Sequence, residues 1–163
     1  MTSVRPVPAL SHYAAEREVH AHRRQHLEAV EADLAAFWAS SEPTPAHVVN
    51  GSNDPAWEAQ SNERGRQVSR LLEEQSAART VEVQAYEQLV QRAVAAIPEL
   101  KSDDHRLEAQ RLIAAWPEQE VELLRIDCNA SEISTAHREV MSKVFTIIDQ
   151  EAKPIYPFLN RAE

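Results

Sequence analysis

Only two glycines, Gly51 and Gly65, occur in 163 residues, and this scarcity narrows the available folds more than any other feature of the chain. Tight turns, β-bulges and phosphate-cradling loops rely on glycine for positive φ, so architectures that need many of them are disfavoured. Abundant Ala, Glu, Gln, Arg and Leu favour helix instead. The apolar fraction of 43% and the charged fraction of 26% suit a packed domain, and the length suits one domain. No strand-like alternation, internal repeat or low-complexity tract interrupts this pattern. The expected fold class is all-α.

The stretch "SVRPVPAL" carries two prolines and reads as an extended N-terminal arm over residues 1–10. Ser11 can cap a first helix over 11–40, whose buried stripe runs through Leu27, Val30, Leu34, Phe37 and Trp38 at helical spacing. Prolines 43 and 45 and the Asn50-Gly51 pair make the next segment a loop. Asp54 followed by Pro55 is a helix start, a capping side chain before a proline at the first helical position. From there Trp57, Val68, Leu72, Val83, Tyr86, Val90, Ala93 and Ile97 keep a helical period up to Pro98. One helix over 55–97 would be about 65 Å long, and "QSNERGRQ" around Gly65 is where a break or kink is expected.

Ser102 or Asp103 caps a short helix over 103–116 with Leu107, Leu112, Ile113 and Trp116. Pro117 kinks the chain or opens a further helix over 117–150, with a heptad-like seam of Ile126, Ile133, Val140 and Ile147. Ala130, His137 and Val144 lie beside that seam. The C-terminal arm, 154–163, is broken by prolines yet carries Ile155, Tyr156, Phe158 and Leu159. The sequence thus predicts an elongated antiparallel helical bundle or long helical hairpin. It has three long helices and one short one in a single domain over 11–153, with extended proline-containing arms at both termini. Trp38, Trp57 and Trp116 fall near helix ends or breaks, where they plug bundle ends or anchor an interface.

Four of the seven histidines lie between positions 12 and 26, interleaved with three arginines. Glu18, His22 and His26 form one i,i+4 row and are candidate metal ligands, half of a zinc site that needs others from His105, Cys128, His137 or an acidic residue. The row points the wrong way for a bundle-core metal. Relative to the Leu27–Val30–Leu34 stripe, His22 lies roughly 110° and His26 about 70° away, whereas His20 continues the stripe upstream. A solvated flank, or an anion-, partner- or pH-responsive patch formed with Arg23 and Arg24, suits that direction better. His137 reads as a satisfied core or interface histidine, with ligand or general base as the sharper alternative. His105 closes the first turn of its helix in solvent, and Cys128 is a small buried hydrophobe.

The formal charge of −9 argues against general nucleic-acid binding. Residues 1–26 carry four arginines against two glutamates, a balance of +2, which leaves −11 on the remaining 137 residues. A weakly basic end on an acidic body suits docking against an acidic surface, a second copy included. A single cysteine excludes an intramolecular disulfide. Neither glycine sits in a phosphate-loop or dinucleotide fingerprint, and no nucleophile elbow is present. No apolar leader core and no run near the roughly 18 apolar residues of a membrane span occur, which points to the cytoplasm.

The function expected from these features is that of a non-enzymatic helical interaction protein, a scaffold, adaptor or structural subunit without cofactor. It self-associates or docks on a larger assembly. Its partner-binding candidates are Tyr156, Phe158 and Leu159 of the arm and Arg23, Arg24, His22 and His26 of the patch. The alternatives are a bundle holding a metal or small cofactor on His22 and His26, or a small-molecule sensor with a pocket between helices.

Overall fold

The computed structural model describes residues 8–40, 42–115 and 135–161. Their regular structure is helical: α1 (Ala9–Ala39), α2 (Ala46–Val49), α3 (Pro55–Ala96), α4 (Asp103–Ala114) and α5 (Thr135–Ala152), with 3-10 turns at Ile97–Glu99 and Pro157–Arg161. Among the described residues there is no strand. The expectations for Trp116, Pro117, Ile126, Cys128, Ala130, Ile133 and most of the N-terminal arm lie outside the described residues.

Two of the expected caps are in place. Asp54 Oδ1 accepts the amide of Trp57 at 3.0 Å, and Ser102 Oγ accepts that of His105 at 3.3 Å; each satisfies a donor that the helix leaves open. Ser11 is not the cap of α1. The helix starts two residues earlier, because the Glu99 carboxylate receives the amides of Ala9 and Leu10 at 2.9 and 3.0 Å. The segment expected as loop contains the single turn α2, closed by Gly51 at φ 88, a conformation that glycine adopts without steric cost. No break occurs at Gly65, and α3 runs through it. Flanking residues with good helix propensity sustain the turn there.

The domain expected over 11–153 divides into two compact units, residues 1–24 with 80–163 and residues 25–79. In the first, the start of α1 runs antiparallel to the end of α3, as the contacts of Ala9 with Glu99 and of His20 with Glu82 show. Helices α4 and α5 pack with them around Tyr13, Leu89, Leu100, Val144, Ile148 and Leu159, all nearly inaccessible to solvent. The seam of α5 differs from the expected one. Met141, Val144, Phe145, Ile148 and Ala152 face inward, while Val140 and Ile147 are only half-buried. The i,i+3/i+4 row with the larger side chains, Phe145 and Met141, takes the core because it removes more apolar surface from water.

The C-terminal arm also departs from expectation. Prolines 154 and 157 end α5 but turn the chain back, with Ile155 N and Tyr156 N both donating to Ala152 O at 3.1 and 2.8 Å. Leu159 N then donates to Tyr156 O at 3.1 Å, and Leu159 enters the core at 2% exposure. Tyr156 and Phe158 pack against that core, half-buried, their ring centroids 6.0 Å apart.

Candidate functional site

Glu82 is a charged residue on the apolar row of α3, and it is only 3% exposed. Its Oε1 receives His20 Nε2 at 3.0 Å and Arg138 Nη1 at 2.6 Å, and its Oε2 receives Arg138 Nη2 at 2.8 Å. Burial alone would raise the carboxyl pKa, but the hydrogen bonds from His20 and Arg138 overcome that and bring it down to about 2. The Arg138 guanidinium lies over the Tyr86 ring at 4.5 Å, a favourable cation–π geometry. The Tyr86 hydroxyl is 2.8 Å from His137 Nδ1. Burial, and then the neighbouring Arg138 charge, push the His137 pKa below its ordinary 6.5.

A second buried cluster lies in the same unit. Tyr13 donates to Asp149 Oδ1 at 2.6 Å, and Arg17 reaches Asp149 Oδ2 through Nη2 at 3.1 Å. Burial and the Asp149 charge raise the Tyr13 pKa. Both clusters tie α1 and α5 together, one through α3 and one directly. Their polar atoms satisfy each other and fix how the helices of this unit pack together.

The expected histidine row is not part of either cluster. His22 Nε2 is 3.8 Å from Glu18 Oε1, on side chains 70% and 44% exposed, and His26, Arg23 and Arg24 are exposed. Among the described residues no three His, Cys, Asp or Glu side chains are placed to hold one metal ion. His105, expected in solvent, instead bonds Glu151 through Nδ1 at 2.7 Å, because that carboxylate already caps α4 through the Lys101 and Ser102 amides. Of the C-terminal candidates, Leu159 lies in this chain's own core at 2% exposure, and Tyr156 and Phe158 pack half-buried against it. Glu82, Asp149 and Arg138 escaped the sequence reading. The available signal was a charged residue at a core position of each row, Glu82 four residues after Ala78 and Asp149 four after Phe145.

Residues 25–79 have a different character. Here α1 and α3 again run antiparallel, with Glu31 3.6 Å from Arg79 and Arg64 4.8 Å over the Phe37 ring. The buried apolar side chains among the described residues of this unit are Val30, Leu34 and Ala78, at 5%, 8% and 5% exposure. Phe37, Trp57, Val68 and Leu71 are half-buried, while Trp38 is 55% and Leu72 46% exposed. Leu72, expected on the buried stripe, yields that place to Leu71. At about 100° per residue, Trp38 lies about 60° to one side of the α1 row and Leu72 about 80° to one side of the α3 row. In an antiparallel pair these offsets bring both to the same face of the hairpin. Trp38 and Leu72 are thus two large apolar side chains exposed on that face, of types that anchor interfaces when covered.

The class of protein so defined is all-α, with a charge-pinned helical unit and a thinly buried two-helix unit. No family model matches the chain, and no curated protein or solved structure is similar to it. Among the described residues no helix is long and apolar enough to cross a membrane.

Proposed function

We propose that the chain is a non-enzymatic helical interaction protein, an adaptor or structural subunit, that works by docking the 25–79 hairpin against protein. One observation carries this reading: the hairpin leaves Trp38 and Leu72 exposed on one face, while among its described residues it buries only Val30, Leu34 and Ala78 of its apolar side chains. Helices gain most of their stability from packing of an apolar face. Burying a valine or leucine contributes roughly 1.5–3 kcal/mol, so two such side chains leave the hairpin dependent on further contacts. Covering the exposed face supplies them. The C-terminal residues Tyr156, Phe158 and Leu159 support their own unit in this reading, and the histidine–arginine patch is its solvated flank.

Amide hydrogen exchange of the full chain in dilute solution tests the reading within a single helix. The 55–79 part of α3 is expected to exchange faster than the 80–96 part, because exchange tracks local packing. Equal protection along α3 at high dilution would show a self-sufficient hairpin and contradict the reading.

A further inference from the structure

We propose that Asn50 is a site of self-modification: the Gly51 amide nitrogen attacks the Asn50 carboxamide, and the residue becomes aspartate and isoaspartate with loss of ammonia. The first ground is the pair itself. Of the five asparagines, Asn50 alone is followed by glycine; the others precede Asp54, Glu63, Ala130 and Arg161. Ring closure brings the next residue's nitrogen against the side-chain carbon, and a Cβ on that next residue obstructs the approach. Gly51 has none. A Cβ built there would meet no atom within 4 Å, so the space beside this peptide is open. The second ground is how little holds the turn. Both residues are exposed, and Asn50 closes the single turn α2, none of whose residues is buried. At the Asn50 ψ of 8 the Gly51 N–H donates to Val48 O at 3.0 Å, which withholds the nitrogen from attack. One helical turn without buried contacts opens readily. Opening frees both the nitrogen and the ψ rotation that the ring requires. Asn62, by contrast, lies within the long helix α3, whose hydrogen-bond ladder fixes its backbone.

In the open turn, hydroxide takes the Gly51 amide proton as the nitrogen forms a bond to Asn50 Cγ. The Cγ–Nδ2 bond then breaks, and its nitrogen takes a proton from water and leaves as ammonia. The product is a succinimide, which water opens at either carbonyl. Cleavage at Cγ gives aspartate, and cleavage at the main-chain carbonyl carbon gives isoaspartate. Each route consumes one water, releases one ammonia and adds one negative charge to the chain. Isoaspartate also lengthens the main chain by one carbon, at the point where the Gly51 and Ser52 amides close α2 on Val48 O and His47 O.

The full chain is incubated at mildly alkaline pH in oxygen-labelled water, folded and in denaturant, and each asparagine is followed by peptide mass spectrometry with separation of the aspartate isomers. In the folded chain Asn50 is expected to convert faster than Asn53, Asn62 or Asn160. Its rate is expected within about tenfold of that in denaturant, as for a turn that opens at little cost. Each conversion carries one labelled oxygen, and both isomers form. Asn50→Gln, whose ring would need one more member, is expected to abolish the conversion at this position. A folded rate further below that in denaturant, or no faster than at the other asparagines, overturns the proposal. Aspartate without isoaspartate overturns it as well, because direct amide hydrolysis yields aspartate alone.

Discussion

Glu82 and Arg138 form a bidentate pair at 2.6 and 2.8 Å, with the carboxylate 4% and the guanidinium 28% exposed. A buried carboxylate that loses its partner is left to bear its desolvation cost with His20 alone. Arg138→Met is therefore expected to destabilise the protein by about 3–5 kcal/mol, measured by urea unfolding. Glu82→Leu combined with Arg138→Met is expected to cost less than Arg138→Met alone. A double variant as damaged as the sum of its singles would show that the pair does not act as a unit.

Acid should weaken the fold in a direction fixed by the same cluster. The folded carboxyl of Glu82 holds its charge down to about 2, whereas its ordinary value is 4.5. The unfolded chain takes up that proton first, so stability present above 4.5 is lost as the pH falls towards 2. His137 acts in the same sense at higher pH. Its folded pKa lies below 6.5, so unfolded chains bind the proton first as the pH drops below that value. Unfolding free energies measured across pH should show a shallower acid slope below 4.5 in Glu82→Gln. An unchanged slope would remove Glu82 from the acid response.

Glu151 holds the start of α4 through the Lys101 amide at 2.6 Å and the His105 ring at 2.7 Å. Burial raises its pKa, but those bonds, His105 foremost, bring it below the ordinary carboxylate value. Glu151→Ala is expected to cost about 1–2 kcal/mol and to speed amide exchange in the first turn of α4. Exchange there that matches the wild type would mean that Ser102 alone suffices as the cap.

Leu159→Ala is expected to destabilise the monomer by about 2–5 kcal/mol, the range for a buried leucine. Tyr156→Ala with Phe158→Ala is expected to lower stability less and to leave the association state unchanged. Loss of association in that double variant, with the fold intact, would return the C-terminal segment to the interface.

The fold class was legible because glycine scarcity, the Asp54-Pro55 start and the Ser102 cap are local signals that tertiary structure preserved. Phase was harder to read. In α5 the run from Val140 to Ile148 is so rich in apolar residues that more than one helical row fits, and contacts with Tyr13 and Tyr86 select the row of Phe145. In α3 the adjacent Leu71 and Leu72 present the same ambiguity. His20 was visible on its stripe, but its partner was not, because a lone glutamate at position 82 has the same local signature as the many solvated glutamates of this acidic chain. The turn of the C-terminal segment onto the core depends on long-range packing of Leu159, which proline spacing does not encode.

The most direct measurement is amide hydrogen exchange along α3 of the full chain at high dilution. The account predicts that the amides of 55–79 exchange faster than those of 80–96, because the hairpin buries little apolar surface of its own. Equal protection in both parts would mean that the hairpin needs no further contact, and would contradict the account.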